Sequence, residues 1–384
     1  MTEIASRDRT AELRADFPIL ESSTYLVSHS MGAAPLQARS ALNQYWDEWA
    51  ADGPEAWEHW LPRIAEIADG IGEIIGAPPG SVFLGPNVSV LQAAVATSLD
   101  WTHARNEVVY ESLQFPSLTY VWREWERFGA VTRVVESPDG RTVPTERLVA
   151  AIGERTAIAV ISHAYYVSGA LADVAAVQRR CREVGALLCV DAYQTTGTYP
   201  YDVTALELDL ATGGSHKWLC GGAGCGWIYV KPALRARFRP AVTGWMAHAR
   251  PFAFEAAPIV HAESMYRFGN GTPTIPGYMV AQPGHRAILS LGVHAIREKN
   301  VRLTERIIAH ARERKLAISS PLEAQRRTGW VGIDFDDAER VCRELVGRRV
   351  FVDYRPGCGI RIGPHFYTTD DEIDAFFETL DTLR

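Results

Sequence analysis

Ala186-Leu187-Leu188-Cys189-Val190-Asp191 runs five apolar residues without interruption into a carboxylate. A strand with one wet face alternates polar and apolar residues, whereas a continuous apolar run is covered on both faces. The helix predicted ahead of it, over 174–184, carries apolar residues at i, i+3 and i+4. Working outward, further short strands are predicted at 81–84, 107–110, 157–162, 208–212 and 226–230. Helical stretches separate several of them, and one helix is expected to start near Ser89. Buried strands alternating with helices indicate an α/β fold with a mostly parallel sheet between helices.

The flanking regions read differently. Residues 36–75 have helical spacing, interrupted near Gly53-Pro54. Beyond about 280 a long helical region runs to 311, with short strands near 330–335 and 359–362 and helices over 337–346 and 369–383. Three parts are therefore expected: an N-terminal segment 1–35 contributing to the active site, a large domain 36–280, and a small α+β C-terminal domain 281–384.

Composition narrows the function classes. The chain has 384 residues, 47% of them hydrophobic and 22% charged, which is ordinary for a globular protein. Its net charge of −7 counts against nucleic-acid binding, which calls for a basic stripe. No apolar run is long enough to span a membrane. Residues 1–16 lack the apolar core of a secretion signal, so a cytoplasmic location is expected. The six cysteines are scattered without C-x2-C spacing, which fits thiols in a reducing compartment; neither a disulfide framework nor a metal site is expected. Trp46, Trp49, Trp57 and Trp60 crowd one short region, as rings that build a core, a subunit contact or a pocket wall do.

In open α/β sheets, ligands lie beyond the carboxyl ends of the strands. Candidate ligand-facing residues follow the first five predicted strands: Val88 and Ser89, Phe115, His163 and Tyr165, Asp191 and Gln194, then Ser215-His216-Lys217. Lys217 stands between apolar strands and ahead of Gly221-Gly222-Ala223-Gly224. A lysine held there loses hydration, its pKa falls, and its amine becomes a nucleophile suited to Schiff-base chemistry. Asp191 is costly to bury without a cation, and a protonated pyridine nitrogen is one such partner; capping the next turn is the other reading. Ser89, at a helix start, suits either an N-cap or a phosphate seat. Lysine, aspartate and phosphate seat together describe pyridoxal 5′-phosphate.

The segments Asp191-Ala192-Tyr193-Gln194 and Ser215-His216-Lys217-Trp218 resemble those of the fold-type-I pyridoxal-phosphate enzymes of the class V aminotransferase superfamily. Kynureninase and its relatives are the closer likeness. Tyr25-Leu26-Val27-Ser28-His29-Ser30-Met31-Gly32, Gly85-Pro86-Asn87-Val88-Ser89-Val90, Gln114-Phe115-Pro116-Ser117, Gly244-Trp245-Met246-Ala247-His248 and Gly359-Ile360-Arg361-Ile362-Gly363-Pro364 carry it. The resemblance implies a seven-stranded, mostly parallel sheet and a homodimer with shared active sites acting on an amino acid.

By the same resemblance, Lys217 holds the cofactor and shuttles protons, and Asp191 pairs with the pyridine nitrogen. Phe115 stacks on the ring, with Gln194 beside its phenolic oxygen. Val88 and Ser89, helped by Ser215 or His216, bind the phosphate. Trp245 and Thr272 reach it from the neighbouring subunit. Arg361 grips the substrate α-carboxylate, with Ser30, His29 and Tyr165 nearby; a surface ion pair is the other reading of Arg361. His29 and His163 are acid–base candidates or packed rings, and Tyr165 or Tyr166 serves proton traffic or packs. The implied reaction abstracts a Cα proton and cleaves a bond beyond Cβ with water. Elimination of the C–S lyase or desulfurase kind, transamination and epimerisation are alternatives.

The sequence also departs from the family pattern. Leu118 replaces the acid of F-P-S-D, Gln194 replaces a common histidine, and Pro54 falls near an expected histidine. A desulfurase needs a mobile nucleophilic cysteine, for which Cys358, after Pro356-Gly357, is the candidate.

Overall fold

The computed structural model describes residues 10–384, so the start of the N-terminal segment lies outside the described residues. In chain order the elements are β1 (Thr24–Tyr25), α1 (Gln37–Asp52), α2 (Trp57–Ile74), β2 (Val82–Gly85), α3 (Val88–Ala96), β3 (Glu107–Glu111) and α4 (Pro116–Glu124). There follow β4 (Val131–Val135), α5 (Thr145–Ala151), β5 (Thr156–Ser162), α6 (Val174–Val184), β6 (Leu187–Asp191), β7 (Leu210–Gly214) and β8 (Gly226–Val230). The C-terminal part holds α7 (Ile275–Leu291), α8 (Val293–Glu313), β9 (Ala317–Ile318), β10 (Val331–Asp334), α9 (Ala338–Gly347), β11 (Val350–Phe351), β12 (Asp353–Arg355), β13 (Gly359–Ile362) and α10 (Asp370–Asp381).

A seven-stranded sheet runs β2-β8-β7-β6-β5-β3-β4. Only β8 is antiparallel to its neighbours, β2 and β7. The unbroken apolar runs follow from coverage on both faces. Val109, Ala159, Ile161, Leu188 and Val190 enter one apolar cluster. Their neighbours Val108, Tyr110, Ile158, Val160, Leu187 and Cys189 enter another. Each buried Val, Leu or Ile contributes about 1.5–3 kcal/mol, so period-2 alternation between two dry faces fixes the register. The strand of this sheet missed from the sequence is β4, an edge strand whose Val131 and Val134 remain exposed; the short β1, β9, β11 and β12 outside it are not predicted either.

The helical region predicted from 280 to 311 is two helices, α7 and α8, divided at Gly292, whose φ of 80° ends the first. The four-stranded antiparallel sheet β12-β13-β10-β9 has its own apolar cluster with α8, α9 and α10. The N-terminal segment is stitched into that cluster. β1 pairs in parallel with β11, Leu26 is one of its buried members, and the Leu26 carbonyl accepts from Gly363 N at 2.7 Å. Residues 25–32 thus run between the C-terminal sheet and the Lys217 loop, where Gly32 N donates to the His216 carbonyl at 2.8 Å. No helix among the described residues is long and apolar enough to cross a membrane.

Candidate active site

The carboxyl ends of the strands open on a cavity of ≈ 540 Å³. The start of α3, Phe115, Ser162, Asp191, Tyr193, Gln194, His216 and Lys217 line it. Strand-end residues remote in sequence are therefore brought to one place, as the α/β reading anticipates.

Lys217 Nζ stands 4.5 Å from the Tyr193 ring centroid and 5.5 Å from that of Phe115. Loss of hydration lowers its pKa to about 8, against the pull of the Asp191 carboxylate. Asp191 is buried at the end of β6, and its Oδ1 accepts from Tyr193 N at 3.0 Å. Burial raises its pKa to about 6, opposed by that N–H and by Lys217. The amine and the carboxylate are thus adjacent to one cavity, each held away from its solution behaviour by desolvation.

The glycines before the lysine make room for protein rather than ligand. A Cβ on Gly213 would strike the Trp227 indole, and one on Gly214 the Tyr193 phenol. Tyr193, passed over in the sequence, therefore packs on the bare backbone of β7, and its hydroxyl meets His216 Nδ1 at 3.1 Å. Burial and the neighbouring Lys217 lower the His216 pKa to about 4, so the ring is neutral near pH 7.

At the start of α3 the cap is Asn87, whose side chain accepts from Val90 N at 3.1 Å. Ser89 is consequently not the N-cap. Helix geometry leaves the first N–H groups, Val88 and Ser89 among them, without carbonyl partners inside the helix, and they border the cavity. Gln194 donates from Nε2 to the His29 carbonyl at 3.2 Å, while its Oε1 is buried without a partner among the described residues. Phe115, 41% exposed, borders the cavity, and Leu118 closes the wall where the family pattern has an acid. An anion seat, an acid, an aromatic face, an amine and an unsatisfied amide oxygen fit a phosphorylated pyridine aldehyde.

Other expected residues lie elsewhere. Ser215 is buried outside the cavity lining, its hydroxyl 2.9 Å from His285 Nε2, because Gly221 N folds back onto its carbonyl. His163 is a packed ring, with Nδ1 on Thr195 Oγ1 at 3.0 Å and Tyr199 and Tyr201 against its faces. Burial lowers its pKa to about 4. Tyr165 is buried away from the lining, and it is Tyr166 that borders the cavity, its ring edge-on to Phe115 at 5.3 Å. Ser30 is half-buried, its N–H on the Val27 carbonyl. His29 is buried and bonds Asp353 Oδ1 at 2.9 Å instead of facing the cavity.

Arg361 is no surface ion pair. It is buried on β13, donates from Nη1 to the Tyr166 carbonyl at 2.8 Å, and is forked onto Asp353 through Nε and Nη2. Trp245 and Thr272 lie apart from this cavity in the same chain. Trp245 packs edge-on to Trp57 at 5.7 Å, and Thr272 borders a shallow pocket with Trp49, Pro54, Trp57 and Trp60. Cys358 is wholly buried, its Sγ 3.3 Å from Ser319 Oγ, and all six cysteines are likewise buried.

A family model for class-V aminotransferases matches residues 24–376. The chain belongs to that family. It is a pyridoxal 5′-phosphate-dependent enzyme. Among its relatives are the uncharacterized aminotransferase YcbU of Bacillus subtilis, 28% identical over 94% of this chain and 95% of its own, and the kynureninase of Pseudomonas fluorescens, 27% identical over 96% and 91%. Among solved structures, the fold is similar to that of the cystine C–S lyase C-DES, in a K223A mutant with glycine linked to its pyridoxal phosphate (TM-score 0.88, 21% identity, 97% and 99% coverage). It is also similar to a cysteine desulfurase of Thermococcus onnurineus (TM-score 0.85, 19% identity, 97% of each chain). The class V fold, the enzyme class and the cofactor expected from the sequence are all met.

Proposed function

We propose that this class V enzyme works as a homodimer on an α-amino acid and cleaves it with water beyond Cβ, the reaction its resemblance to kynureninases implies. Bound pyridoxal phosphate supplies an electron sink conjugated to the substrate Cα. Lys217 would hold the cofactor, Asp191 would pair with its pyridine nitrogen, Phe115 would lie against its ring, and Val88 and Ser89 would bind its phosphate. Lys217 Nζ then takes the Cα proton, for which an amine of pKa about 8 is suited near neutral pH. Arg361 fixes the α-carboxylate by two-point hydrogen bonding. The water oxygen bonds to the γ-carbonyl carbon, the Cβ–Cγ bond breaks, one water proton goes to Cβ and the proton held by Lys217 goes back to Cα, giving alanine and a carboxylic acid. Tyr166, whose phenol borders the cavity as that of Tyr193 does, would carry the proton to Cβ. The observation that carries the reading is the juxtaposition of the Lys217 amine and Asp191 on one cavity.

Dimerisation has support in the surface around Trp245 and Thr272. Trp46, Trp49, Phe252 and Phe254 are each about half exposed or more there, an apolar patch of the kind subunits cover. A second reaction, β-elimination of a sulfur group without a protein thiol, is favoured by the burial of all six cysteines. Burial also holds the Cys358 thiol above its ordinary pKa, the opposite of what a persulfide-forming nucleophile needs.

Incubation of the holoenzyme with L-kynurenine, L-cysteine, or L-alanine plus a keto acid separates the reactions by product. Anthranilate with alanine is expected from kynurenine. Sulfide and pyruvate from cysteine, without anthranilate, would replace hydrolysis by elimination. A monomer in sedimentation equilibrium would remove the shared-site dimer.

A further inference from the structure

Asp353 gathers four donors on two oxygens. Oδ1 takes Arg361 Nε at 2.8 Å and His29 Nε2 at 2.9 Å. Oδ2 takes Arg361 Nη2, and Arg355 Nη2 stands 3.2 Å away. The Arg361 and His29 side chains are 3% and 0% exposed, so this ion pair is sheltered from water and salt. Burial opposes ionisation of Asp353, yet His29 and Arg361 together hold its pKa well below the usual carboxylate range. Burial lowers the His29 pKa to about 4, so near pH 7 the neutral ring serves as an N–H donor.

The rest of the surroundings restrict the guanidinium further. Its Cζ lies 5.3 Å from the Trp330 ring centroid, and the His29 ring packs on the same indole at 5.6 Å. A Cβ on Gly363 would strike the His29 ring, so this close approach requires glycine. Of the five N–H bonds of Arg361, Asp353 takes two and the Tyr166 carbonyl one. One N–H on each Nη is left without a protein acceptor among the described residues. Asp353 occupies the Nε–Nη2 edge of the plane, and the Tyr166 that Nη1 binds borders the cavity, so these two N–H bonds are the donors left for a second carboxylate.

We propose that Asp353 and His29 are positioning residues for substrate recognition, holding Arg361 so that its two free Nη–H bonds face the α-carboxylate of the incoming amino acid. The inference rests on the reading of Arg361 as the carboxylate anchor. Asp353 fixes the plane by its fork, and His29 fixes Asp353 from the N-terminal segment. The main-chain carbonyl of His29 also holds Gln194 on the cavity wall, so one residue ties the carboxylate anchor to the cofactor side. Pre-ordering a long side chain removes an entropy cost otherwise met when substrate binds. Losing either support is therefore expected to weaken carboxylate binding more than cofactor binding.

The test titrates holoenzyme with L-alanine and with L-alaninamide, which lacks the carboxylate, and reads the change in cofactor visible absorption. The ratio of half-saturating concentrations measures carboxylate preference. Asp353→Asn is expected to reduce that ratio by about tenfold, with the alaninamide value within about twofold of the parent. His29→Ala is expected to reduce it several-fold and His29→Gln, which keeps an N–H donor, to restore most of it. That second pair carries the test if Asp353→Asn does not fold. Equal weakening for both probes, or an unchanged ratio in the folded variants, overturns the positioning role. An unchanged ratio in Arg361→Ala overturns the anchor reading, and this inference with it; a reduced ratio there beside an unchanged one in Asp353→Asn overturns the positioning role alone.

Discussion

The phenol of Tyr193 packs against the bare Cα of Gly214, on the neighbouring strand, and that contact sets the tyrosine ring 4.5 Å from the Lys217 amine. A methyl group at Gly214 must displace the ring or the β7 backbone. Gly214→Ala is therefore expected to weaken pyridoxal phosphate affinity by about tenfold or more, since even small misplacements at a pre-ordered site are costly. Titration of the apo variant with cofactor, followed by absorbance, checks this. Unchanged affinity would show that Tyr193 does not shape the site.

Lys217 captures the cofactor only as the free amine. Burial brings its pKa to about 8 from 10.5, so about a tenth of the amine is unprotonated at pH 7, against well under a thousandth for a solvated lysine. The rate of apoenzyme reconstitution is expected to rise with pH and to level off above about 8. A rate still climbing steeply toward 10 would mean that the amine is solvated.

Glu111, at the end of β3, is buried with Oε1 accepting from Ser162 N at 2.8 Å and Oε2 unpartnered. Desolvation raises its pKa from 4.5 to about 8, against the Ser162 N–H. The folded protein thus holds this proton more tightly than the unfolded chain. Stability from Glu111 is full below pH 4.5 and falls as pH rises through about 8. Glu111→Gln, which keeps the acceptor and removes the titration, should raise stability at pH 8 by on the order of a few kcal/mol and flatten the profile between these values. Urea melts at pH 5 and pH 8 measure both, and a variant less stable at pH 8 than the parent would contradict the assignment.

Burial of all six thiols makes a chemical statement. In the native protein none is expected to react promptly with a thiol reagent, while all six react after unfolding. Cys358→Ala, which truncates a packed side chain, should cost about 1 kcal/mol of stability and leave turnover within about twofold. A tenfold loss of turnover with the fold intact would restore Cys358 to the mechanism.

Much of the fold was legible where burial was complete. The strand at 226–230, the helix at 174–184 and the strand at 359–362 agree with the sequence reading to the residue, because apolar patterns and turn residues bound them. β4 escaped because an edge strand mixes Thr132 and Arg133 with exposed valines. In the site, Lys217 and Asp191 were legible because charged residues beside buried strands demand a reason. Asn87 was overlooked as the cap because Ser89, two residues on, is an equally good capping type. Tyr193 and Asp353 were invisible for a different reason. Each acts through a residue on a different strand, Gly214 for one and Arg361 for the other, and such pairings exist only after folding.

The central claim is that Lys217 carries the cofactor. Borohydride reduction of the holoenzyme followed by peptide mass mapping tests it most directly. One reduced pyridoxyl group per chain, on the peptide containing Lys217 and absent from Lys217→Ala, is the expected result. A label on another lysine, or none on a protein that holds pyridoxal phosphate, would contradict it.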